Sequence, residues 1–422
     1  MVDRSMENLE EQLRHDRRLG RTRRRKRRMK KLLPLIGILT AAAVVGIVIW
    51  SSTHRDAPET EAPAPDSVTA VISFVGDINL NQDMIRAFQV GSDYDFSPLF
   101  RRITTRLAST DLTIGNLEGN ITEAADVSDH NYPAALLRDL YAAGFDILQT
   151  ANSYSIQNGI SGLTATKQAI QNAGMDALGT WVSPQDREEN GVLIRDVNGI
   201  RFAFLAFTKG VNNLRLPDGA DYCVNLLYRD YDTNYTELDR SAMITAAEQA
   251  RAYSPDVIIA MVHWGSEYDR SIAKSQKEAA KLLFENGVNV IIGSHSHYVS
   301  TMQLESPEIT PFGGNFIAYS LGDFVSAADT SSARNGCVLR LSFLKDGSKV
   351  SIQEVQYAPT YSAEPSDSLQ TRSYEIMDTL DSIRFYQKEY YDRVSDRLYE
   401  QLVASVEKIK ELTELPDSLA DR

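Results

Sequence analysis

Short apolar runs that end in polar clusters recur along most of this chain. The first, VTAVISFVGD, begins at Val68 and is rich in β-branched residues, which is typical of a buried strand that leads into a loop. Similar runs are LTIGNLEG, FDILQTANS, RFAFLAFT, DVIIAMVHWG and VNVIIGSHSH. Stretches with a helical pattern lie between several of them, at 133–143, 164–173 and 274–286. Strands that alternate with helices predict an α/β domain with mostly parallel sheets flanked by helices.

The pattern changes to alternating apolar and polar positions at 338–357, where two runs flank the Lys345-Asp346-Gly347 turn. This alternation around a turn with Asp-Gly predicts a β-hairpin. We therefore expect the α/β domain to extend over 68–359.

The last part of the chain, 360–422, has a different character. Residues 360–369 are polar and are predicted to be a linker. Residues 372–415 are charged, with apolar positions at three- and four-residue steps, and predict one or two helices with one docking face. We expect this C-terminal helical segment to be dispensable for the core fold.

The N-terminal region and the rest of the chain carry net charges of opposite sign. Residues 1–31 carry a net charge of +8, whereas the remainder carries −21. The next 19 residues, 32–50, contain no charged side chain, and a helix of that length covers most of the roughly 30 Å hydrocarbon core of a bilayer. Because basic flanks stay in the cytoplasm, we predict a cytoplasmic head at 1–31, a transmembrane anchor at 32–50 and an extracellular linker at 51–67. The protein would then be a single-pass protein of the cell membrane, with its C-terminal domain outside.

A nucleic-acid-binding arm and a cleaved signal peptide share features with this N-terminal region. A basic run such as RTRRRKRRMKK can bind nucleic acid, but the apolar segment after it favours a membrane, so we expect lipid and not nucleic acid as a partner. A signal peptide also has basic, apolar and polar regions in this order. The apolar part is long for a signal peptide, and Trp50-Ser51-Ser52 is a poor cleavage site, so an uncleaved anchor is favoured.

Only two cysteines occur, Cys223 and Cys337. They can pair in an exported domain, but two cysteines make no disulfide framework. The domain must therefore be stabilised by its hydrophobic core, with a bound metal as a further source of stability.

Carboxylate, amide and imidazole side chains follow the predicted strands directly. They are Asp77, Asn79, Asn116, Glu118, Asn152, Ser153, Tyr154, His263, His295 and His297. Because ligands gather at the carboxyl ends of parallel strands, we expect these groups to converge at one sheet edge. Oxygen ligands, imidazoles and a bridging carboxylate are what a pair of divalent cations needs. Each residue alone is equally typical of a hydrogen-bonded loop residue, and Glu267 is equally typical of a solvated side chain.

Six motifs carry a resemblance to a known family. FVGDINL, GNLEG, AAGFDILQTANSYSIQNG, VHWGSEY, GSHSHYV and YSLGDFV, in this order over 71–324, resemble the poly-gamma-glutamate capsule synthesis proteins (CapA, PGA_cap), which are related in fold to the calcineurin-like metallophosphoesterases. The resemblance implies a layered metallophosphoesterase-like domain and a divalent metal (Mn, Fe, Zn or Mg). A basic head followed by one anchor also resembles the capsule proteins of Gram-positive bacteria.

The resemblance also implies roles for individual residues. The implied metal ligands are Asp77, Asn79, Asn116, Glu118, Ser153, His263, His295 and His297. Asn116 and Glu118 match the family's Asn-Leu-Glu, a candidate for the bridging position, and His263 is also a catalytic candidate.

The chain departs from the family pattern at three candidate site positions, and Gln157 stands near the place where the family has an aspartate. After Asn152, Ser153 replaces an amide ligand and Tyr154 replaces a catalytic histidine, while Asp323 stands where the family usually has Asn. A tyrosine of pKa about 10 is a poor proton-transfer group compared with an imidazole of about 6.5, and such a loss typically costs about 10²- to 10⁴-fold in rate. We therefore expect phosphoester hydrolysis to be inefficient.

The resemblance implies work in the synthesis, export or retention of an anionic cell-surface polymer, typically poly-gamma-glutamate. A non-catalytic membrane partner of a polymer synthase is favoured because of Ser153 and Tyr154. The alternative is a metal-dependent hydrolase or transferase acting on an envelope substrate. Since the outer part carries −21, contact with a polyanion requires local cations or a bound metal.

The charge asymmetry around 32–50 makes the topology testable. Protease added to intact protoplasts is expected to digest the domain after residue 67, because the basic flank keeps only the N-terminus inside. Full protection of the domain would contradict this topology. A mature protein that starts near Ser51 would instead indicate a cleaved signal peptide.

Overall fold

The computed structural model describes residues 67–413, apart from 124–125, 313, 327, 329, 368–372 and 389–393. The predicted cytoplasmic head, anchor and nearly all of the extracellular linker lie outside the described residues. Among the helices of the described part, none has both the length and the apolar character needed to cross a bilayer. The described residues belong to one compact unit.

The larger of two main sheets has eight strands. They are β1 (Ser67–Ile78), β4 (Leu112–Leu117), β7 (Ile147–Gln149), β8 (Asp176–Leu178), β15 (Asp323–Val325), β16 (Asn335–Asp346), β17 (Lys349–Ala363) and β18 (Glu375–Asp378). Their order is β18-β17-β16-β1-β4-β7-β8, with β15 paired to the end of β1. The strands β1, β4, β7, β8 and β15 are parallel, whereas β16, β17 and β18 join by antiparallel pairing.

The second sheet has six strands. They are β9 (Leu193–Val197), β10 (Ile200–Thr208), β11 (Val257–His263), β12 (Val290–Ser294), β13 (Met302–Leu304) and β14 (Phe316–Ala318). The order is β13-β14-β12-β11-β10-β9, and only the two edge strands are antiparallel. Both sheets are therefore mixed. The expectation of mostly parallel sheets applies to the strands that carry the polar clusters, while the predicted hairpin forms β16 and β17 and adds antiparallel pairs.

Ten α-helices, one 3₁₀-helix (Ser331–Arg334) and two short strand pairs complete the described structure. The helices are α1 (Gln82–Ala87), α2 (Ser97–Phe100), α3 (Thr104–Leu107), α4 (Ala135–Ala143), α5 (Gly159–Asn172), α6 (Pro184–Asn190), α7 (Arg240–Ala252), α8 (Lys274–Glu285), α9 (Thr379–Gln387) and α10 (Asp396–Leu412). The strand pairs are β2 (Gln89–Val90) with β3 (Asp93–Tyr94), and β5 (Asn120–Thr122) with β6 (Asn131–Pro133). The three helices predicted between strands correspond to α4, α5 and α8.

The two sheets pack face to face and are covered by helices on their outer sides. On β11, Ile259 and Met261 lie in the core between the sheets, whereas Ala260 and Val262 pack with α7 and α8. Residues from α1 to α4 cover the outer face of the larger sheet. This helix–sheet–sheet–helix layering explains why the strand sequences are apolar without alternation, because both faces of each central strand are buried.

The two cysteines are free thiols in the core between the sheets. Burial raises the pKa of Cys223 to about 11 and that of Cys337 to about 12. The fold thus rests on its apolar core and not on a bond between these two residues.

The C-terminal segment contributes to the sheet and to the core. Strand β17 continues to Ala363, where a polar linker was predicted, and pairs there with β18, in a stretch where a helix was predicted. Among the described residues after β18, the segment contains the helices α9 and α10. Ile409 of α10 lies in the core between the sheets, and Thr413 bridges to Met302 of β13. These contacts tie the segment to the core and argue against the expectation that the core does not need it, which truncation after Pro359 tests.

The carboxylate of Glu375 on β18 joins the C-terminal segment to the start of the domain. It is fully buried and lies 2.6 Å from Arg101 and 2.7 Å from Arg102. We expect Glu375→Ala to lower the free energy of unfolding by about 2–4 kcal/mol, because it removes the buried partner of two arginines. Urea unfolding followed by circular dichroism measures this.

The matched control is Glu411→Ala, which removes an exposed partner 2.9 Å from Lys408 on α10. An exposed pair contributes at most about 1 kcal/mol. Equal effects of the two substitutions would contradict a structural role for Glu375.

Candidate metal centre

The strand ends bring the predicted polar side chains to one place between the two sheets. Asp77 and Asn116 lie on β1 and β4 of the larger sheet, and His263 ends β11 of the second sheet. Glu118 and His295 follow β4 and β12 directly. The site is therefore formed by the carboxyl edges of two sheets, and not by the edge of one sheet as expected.

A close backbone contact sets the distance between β1 and β15. A Cβ atom added to Gly76 would lie 1.7 Å from the carbonyl oxygen of Gly322, and the Asp77 N–H donates to that same oxygen at 3.1 Å. Asp77 pairs with Asp323 in the strand register. Only glycine at position 76 allows this approach, which places the two carboxylates side by side.

Two overlapping groups of buried side chains have ligand atoms close enough to hold a metal ion. One group is Glu118, His263 and His295, and the other is Asp77, Glu118 and His297. In each group the ligand atoms lie within 4.8 Å of one another. Glu118 belongs to both groups, which is the position that a carboxylate bridging two cations takes.

His295 shows that a cation fits this centre. Its side chain is buried, and neither ring nitrogen has a hydrogen-bond partner. Burial lowers its pKa well below the usual value, so the ring is neutral, which is the form that binds metals. An unsatisfied buried polar group costs about 1–3 kcal/mol, and a cation bound to one ring nitrogen would offset part of that cost.

His263 is fully buried between hydroxyl groups and the shared carboxylate. Its Nδ1 lies 2.9 Å from Ser294 Oγ, and its Nε2 lies 3.1 Å from Ser153 Oγ and 3.4 Å from Glu118 Oε1. Burial lowers the pKa of His263 to about 4, so this ring is also neutral. Ser153, at the position where the resemblance implies an amide ligand, is thus beside the centre and in contact with a candidate ligand.

His297 is paired with the carboxylate of Asp323, whose oxygen lies 2.8 Å from Nδ1. Burial opposes the charged ring, but the neighbouring Asp323 carboxylate raises the pKa of His297 to about 10. A cation at Nε2 would have to displace a proton. Once that proton is displaced, the pair matches the arrangement in which a carboxylate orients a metal-binding imidazole. Asp323, which stands where the family usually has Asn, would then orient His297 and not bind the metal itself.

The two histidines of His-Ser-His do not reach the centre through an extended backbone, as was expected. His295 and His297 have φ angles of 93° and 58°, in the left-handed region that non-glycine residues rarely adopt. Their ring centroids lie 6.2 Å apart. The turn, and not strand alternation, brings both rings to one side.

The carboxylates of Asp77 and Glu118 are buried, and His297 is a positive charge that acts on both of them. Burial, and for Asp77 also the charge of Glu118, raises the pKa of each to about 7. Asp77 accepts hydrogen bonds from Asn116 Nδ2 at 2.7 Å and from the His295 N–H at 2.9 Å. A divalent cation would favour the ionised form of both carboxylates.

The predicted amide residues orient these carboxylates. Asn152 Nδ2 donates to Asn116 Oδ1 at 3.0 Å, so one amide holds the next. Asn79 Nδ2 donates to Glu118 Oε2 at 3.4 Å, at the outer limit of a hydrogen bond. Glu267 is exposed in the loop after β11, outside both ligand groups, although its charge acts on the pKa of Glu118.

Tyr154 packs against an imidazole that the sequence did not single out. Its ring stacks on the ring of His130, with centroids 3.6 Å apart and planes at 10°. His130 Nδ1 lies 3.1 Å from the Glu118 carbonyl oxygen, so it is held close to the centre. Burial raises the pKa of Tyr154 above its usual value, which makes the phenol an even poorer proton donor.

Two residues beside the centre were missed by sequence reasoning. Ser294 lies directly before His295, so its place at the strand end was visible, but a hydroxyl gives no specific signal. His130 comes from the turn between β5 and β6, and no local pattern links it to the strand ends.

Comparison with known proteins settles the family. Residues 71–328, more than half of the chain, match the family described as bacterial capsule synthesis protein PGA_cap. The chain belongs to this family. It is 23% identical over 350 residues to the PGA biosynthesis protein CapA of Bacillus subtilis (strain 168), covering 79% of this chain and 82% of that protein.

Two further similarities were found. The capsule biosynthesis protein CapA of Bacillus anthracis is 24% identical over 356 residues, covering 79% of this chain and 78% of that protein. Among solved structures, the calcineurin-like phosphoesterase YfkN of Bacillus subtilis is similar with a TM-score of 0.40 and 13% identity, covering 82% of this chain and 97% of that chain. The family expected from the six motifs is confirmed.

The ligand geometry makes the metal content of the protein testable. We expect His295→Ala and Glu118→Gln each to weaken cation binding at least about tenfold. Loss of a residue that only hydrogen-bonds to a metal ligand already lowers metal affinity about 10- to 100-fold, and these two residues are ligands themselves. Mass spectrometry of metals in purified, gel-filtered protein measures this. Glu267→Gln is the control, since this exposed carboxylate lies outside both ligand groups. Wild-type metal content in Glu118→Gln would contradict the proposed ligand set.

Proposed function

We propose that this protein works at the outer face of the cell membrane, in the synthesis, export or retention of an anionic polymer such as poly-gamma-glutamate. Membership of the capsule synthesis family supports this, together with similarity to two proteins described as PGA biosynthesis and capsule biosynthesis proteins. The charge pattern supports an anchor at 32–50 with the domain outside. Its partners in the membrane would be lipid and the membrane subunits of a polymer synthase.

We propose that the buried centre holds a divalent cation, Mn, Fe, Zn or Mg. The observation that carries this is His295, which is buried with both ring nitrogens unpartnered beside Glu118 and His263. Asp77 and His297 complete the donor set, which mixes oxygen and imidazole ligands suited to such ions. When bound, such an ion polarises a carbonyl or phosphoryl oxygen and lowers the pKa of a bound water.

We favour a role in holding and guiding polymer over a role in cleaving it. The hydroxyl of Ser153 is engaged with His263 Nε2 at 3.1 Å, and a neutral hydroxyl is a weaker ligand than an amide oxygen. Tyr154 remains protonated and packs on His130. The chain's own groups therefore provide ligands and orienting hydrogen bonds, while the position expected to move a proton holds a phenol.

A metal-dependent hydrolase or transferase is the second candidate. The observation that favours it is that Glu118 belongs to both ligand groups, since two cations bridged by a carboxylate are the usual requirement for in-line displacement at phosphorus. In this case Ser153→Asn with Tyr154→His should raise metal occupancy and any phosphodiesterase rate. Two metals and rapid turnover in the wild-type protein would favour this second candidate over the first.

The first candidate, a role in holding and guiding polymer, is tested in a polymer-producing bacterium that lacks its own copy of this protein. We expect the wild-type protein to restore surface polymer, and His295→Ala to leave it at least about tenfold lower, because loss of a metal ligand typically costs more than the 10- to 100-fold seen for outer-sphere partners. Polymer is measured on washed cells by immunoassay. Glu267→Gln, equally expressed, should restore wild-type levels. Unchanged surface polymer in the strain that lacks the protein would overturn the proposal.

A further inference from the structure

An aromatic and cationic surface adjoins the His297 side of the centre. The Tyr268 ring lies 5.0 Å from the His297 ring and 5.9 Å from the Tyr298 ring, measured between centroids. The Arg270 guanidinium carbon lies 4.0 Å from the centroid of Tyr298. We call Tyr268, Arg270 and Tyr298 the aromatic rim. It is continuous with the metal centre and contributes no ligand to it.

Tyr268 combines exposure with an unfavourable backbone conformation. Its side chain is 54% exposed, and its φ angle is 55°, in the left-handed region. Its N–H donates to the Ser296 carbonyl oxygen at 3.0 Å, which fixes it to the His295–His297 turn. A bulky residue in this conformation is strained, and such strain is concentrated at ligand sites. A large exposed ring held in place beside the centre is suited to contact a ligand.

Arg270 supplies a cation with unused hydrogen-bonding capacity. Its guanidinium lies over the Tyr298 ring, and its Nε atom is buried with no hydrogen-bond partner. Arginine has five N–H donors in a plane that matches the two oxygens of a carboxylate. The side chain as a whole is only partly buried, so a carboxylate can pair with its charge from the solvent side.

A second positive charge lies at the same edge of the second sheet. Lys209 follows β10, and its Nζ donates to the Gly265 carbonyl oxygen at 2.8 Å, in the loop that leads to Tyr268. The charge of Lys209 reaches the centre, since it lowers the pKa of His263 and His295. Glu267 and Asp269 are exposed opposite charges in this loop.

These local cations matter because the chain beyond residue 31 carries a net charge of −21. Such a charge repels a polyanion over most of the surface. We propose that the aromatic rim binds the carboxylate-bearing polymer, with Arg270 pairing with one of its pendant carboxylates and Tyr268 packing on the adjacent methylene groups of the polymer backbone. This rests on the proposed function and names the polymer contact. The bound polymer would then pass directly beside His297.

The test is binding of fluorescein-labelled poly-gamma-glutamate to full-length protein in detergent, followed by fluorescence anisotropy. Arg270→Gln is expected to raise the Kd about tenfold or more, which corresponds to about 1.4 kcal/mol, because it removes the charge that pairs with the carboxylate. Tyr268→Ala is expected to raise the Kd by a similar factor, because it removes the ring that packs on the methylene groups. Tyr268→Phe should keep the Kd within about twofold, because the ring is retained. Metal content should be unchanged in all three variants.

Matched controls lie at the opposite ends of the strands. Arg201→Gln removes an exposed arginine at the start of β10, and Tyr253→Ala removes a tyrosine that is 42% exposed ahead of β11. Both should bind polymer as the wild-type protein does.

Three outcomes would overturn the proposal that the aromatic rim binds the polymer. One is wild-type binding by Arg270→Gln and Tyr268→Ala. Another is an equal loss in Arg201→Gln, which would mean that net charge alone decides binding. The third is displacement of the labelled polymer by polyphosphate at lower concentrations than by unlabelled poly-gamma-glutamate, which would mean that carboxylates are not preferred. Failure of the wild-type protein to bind any polymer would overturn the rim and the polymer-holding function together, whereas the first three outcomes leave that function intact.

Discussion

The structure depends on keeping ionisable side chains out of water at the point where two sheets meet. Asp77, Glu118, His263, His295 and His297 are each at most 5% exposed. Removing such groups from solvent is costly unless they are paired or bound to a metal. The surrounding residues offset part of this cost, since Asn116 donates to Asp77, Ser294 contacts His263, and Asp323 pairs with His297. The burial cost that remains, above all at His295, would be offset by a bound cation.

Burial between the layers also explains why the candidate ligands could be located from the amino-acid sequence. A central strand buried on both faces must be apolar without interruption, and the chain must turn polar where the strand leaves the sheet. Asp77 and His263 could therefore be found as the polar ends of apolar runs. The division of these strands between two sheets could not be found this way, because an apolar run does not specify its neighbours. The left-handed backbone at His295 and His297 was hidden for a related reason, since it is imposed by packing and not by residue type.

Long-range partnerships account for the rest of what was missed. Glu375 lies in a charged stretch whose spacing predicted a helix, yet it is fully buried against arginines more than 270 positions earlier in the chain. His130 similarly reaches Tyr154 from a different turn. Neither contact leaves a local signature, because each is decided by where the sheet places two distant segments. Local pattern therefore located the candidate ligands but not the groups that support them.

The position of β1 has a mechanical consequence. The described domain begins at Ser67, the first residue of β1, and the same strand ends in Asp77 and Ile78. Residues 67–74 pair with β16 on one side, and residues between 72 and 78 pair with β4 on the other. A force applied at Ser67 along the strand axis would load these hydrogen bonds in shear, so that many must break together and not one after another. Any tension that reaches the domain from the chain before residue 67 is thus borne by the strand that ends at the centre, and a load large enough to slide that strand would move Asp77 away from Glu118 and His297.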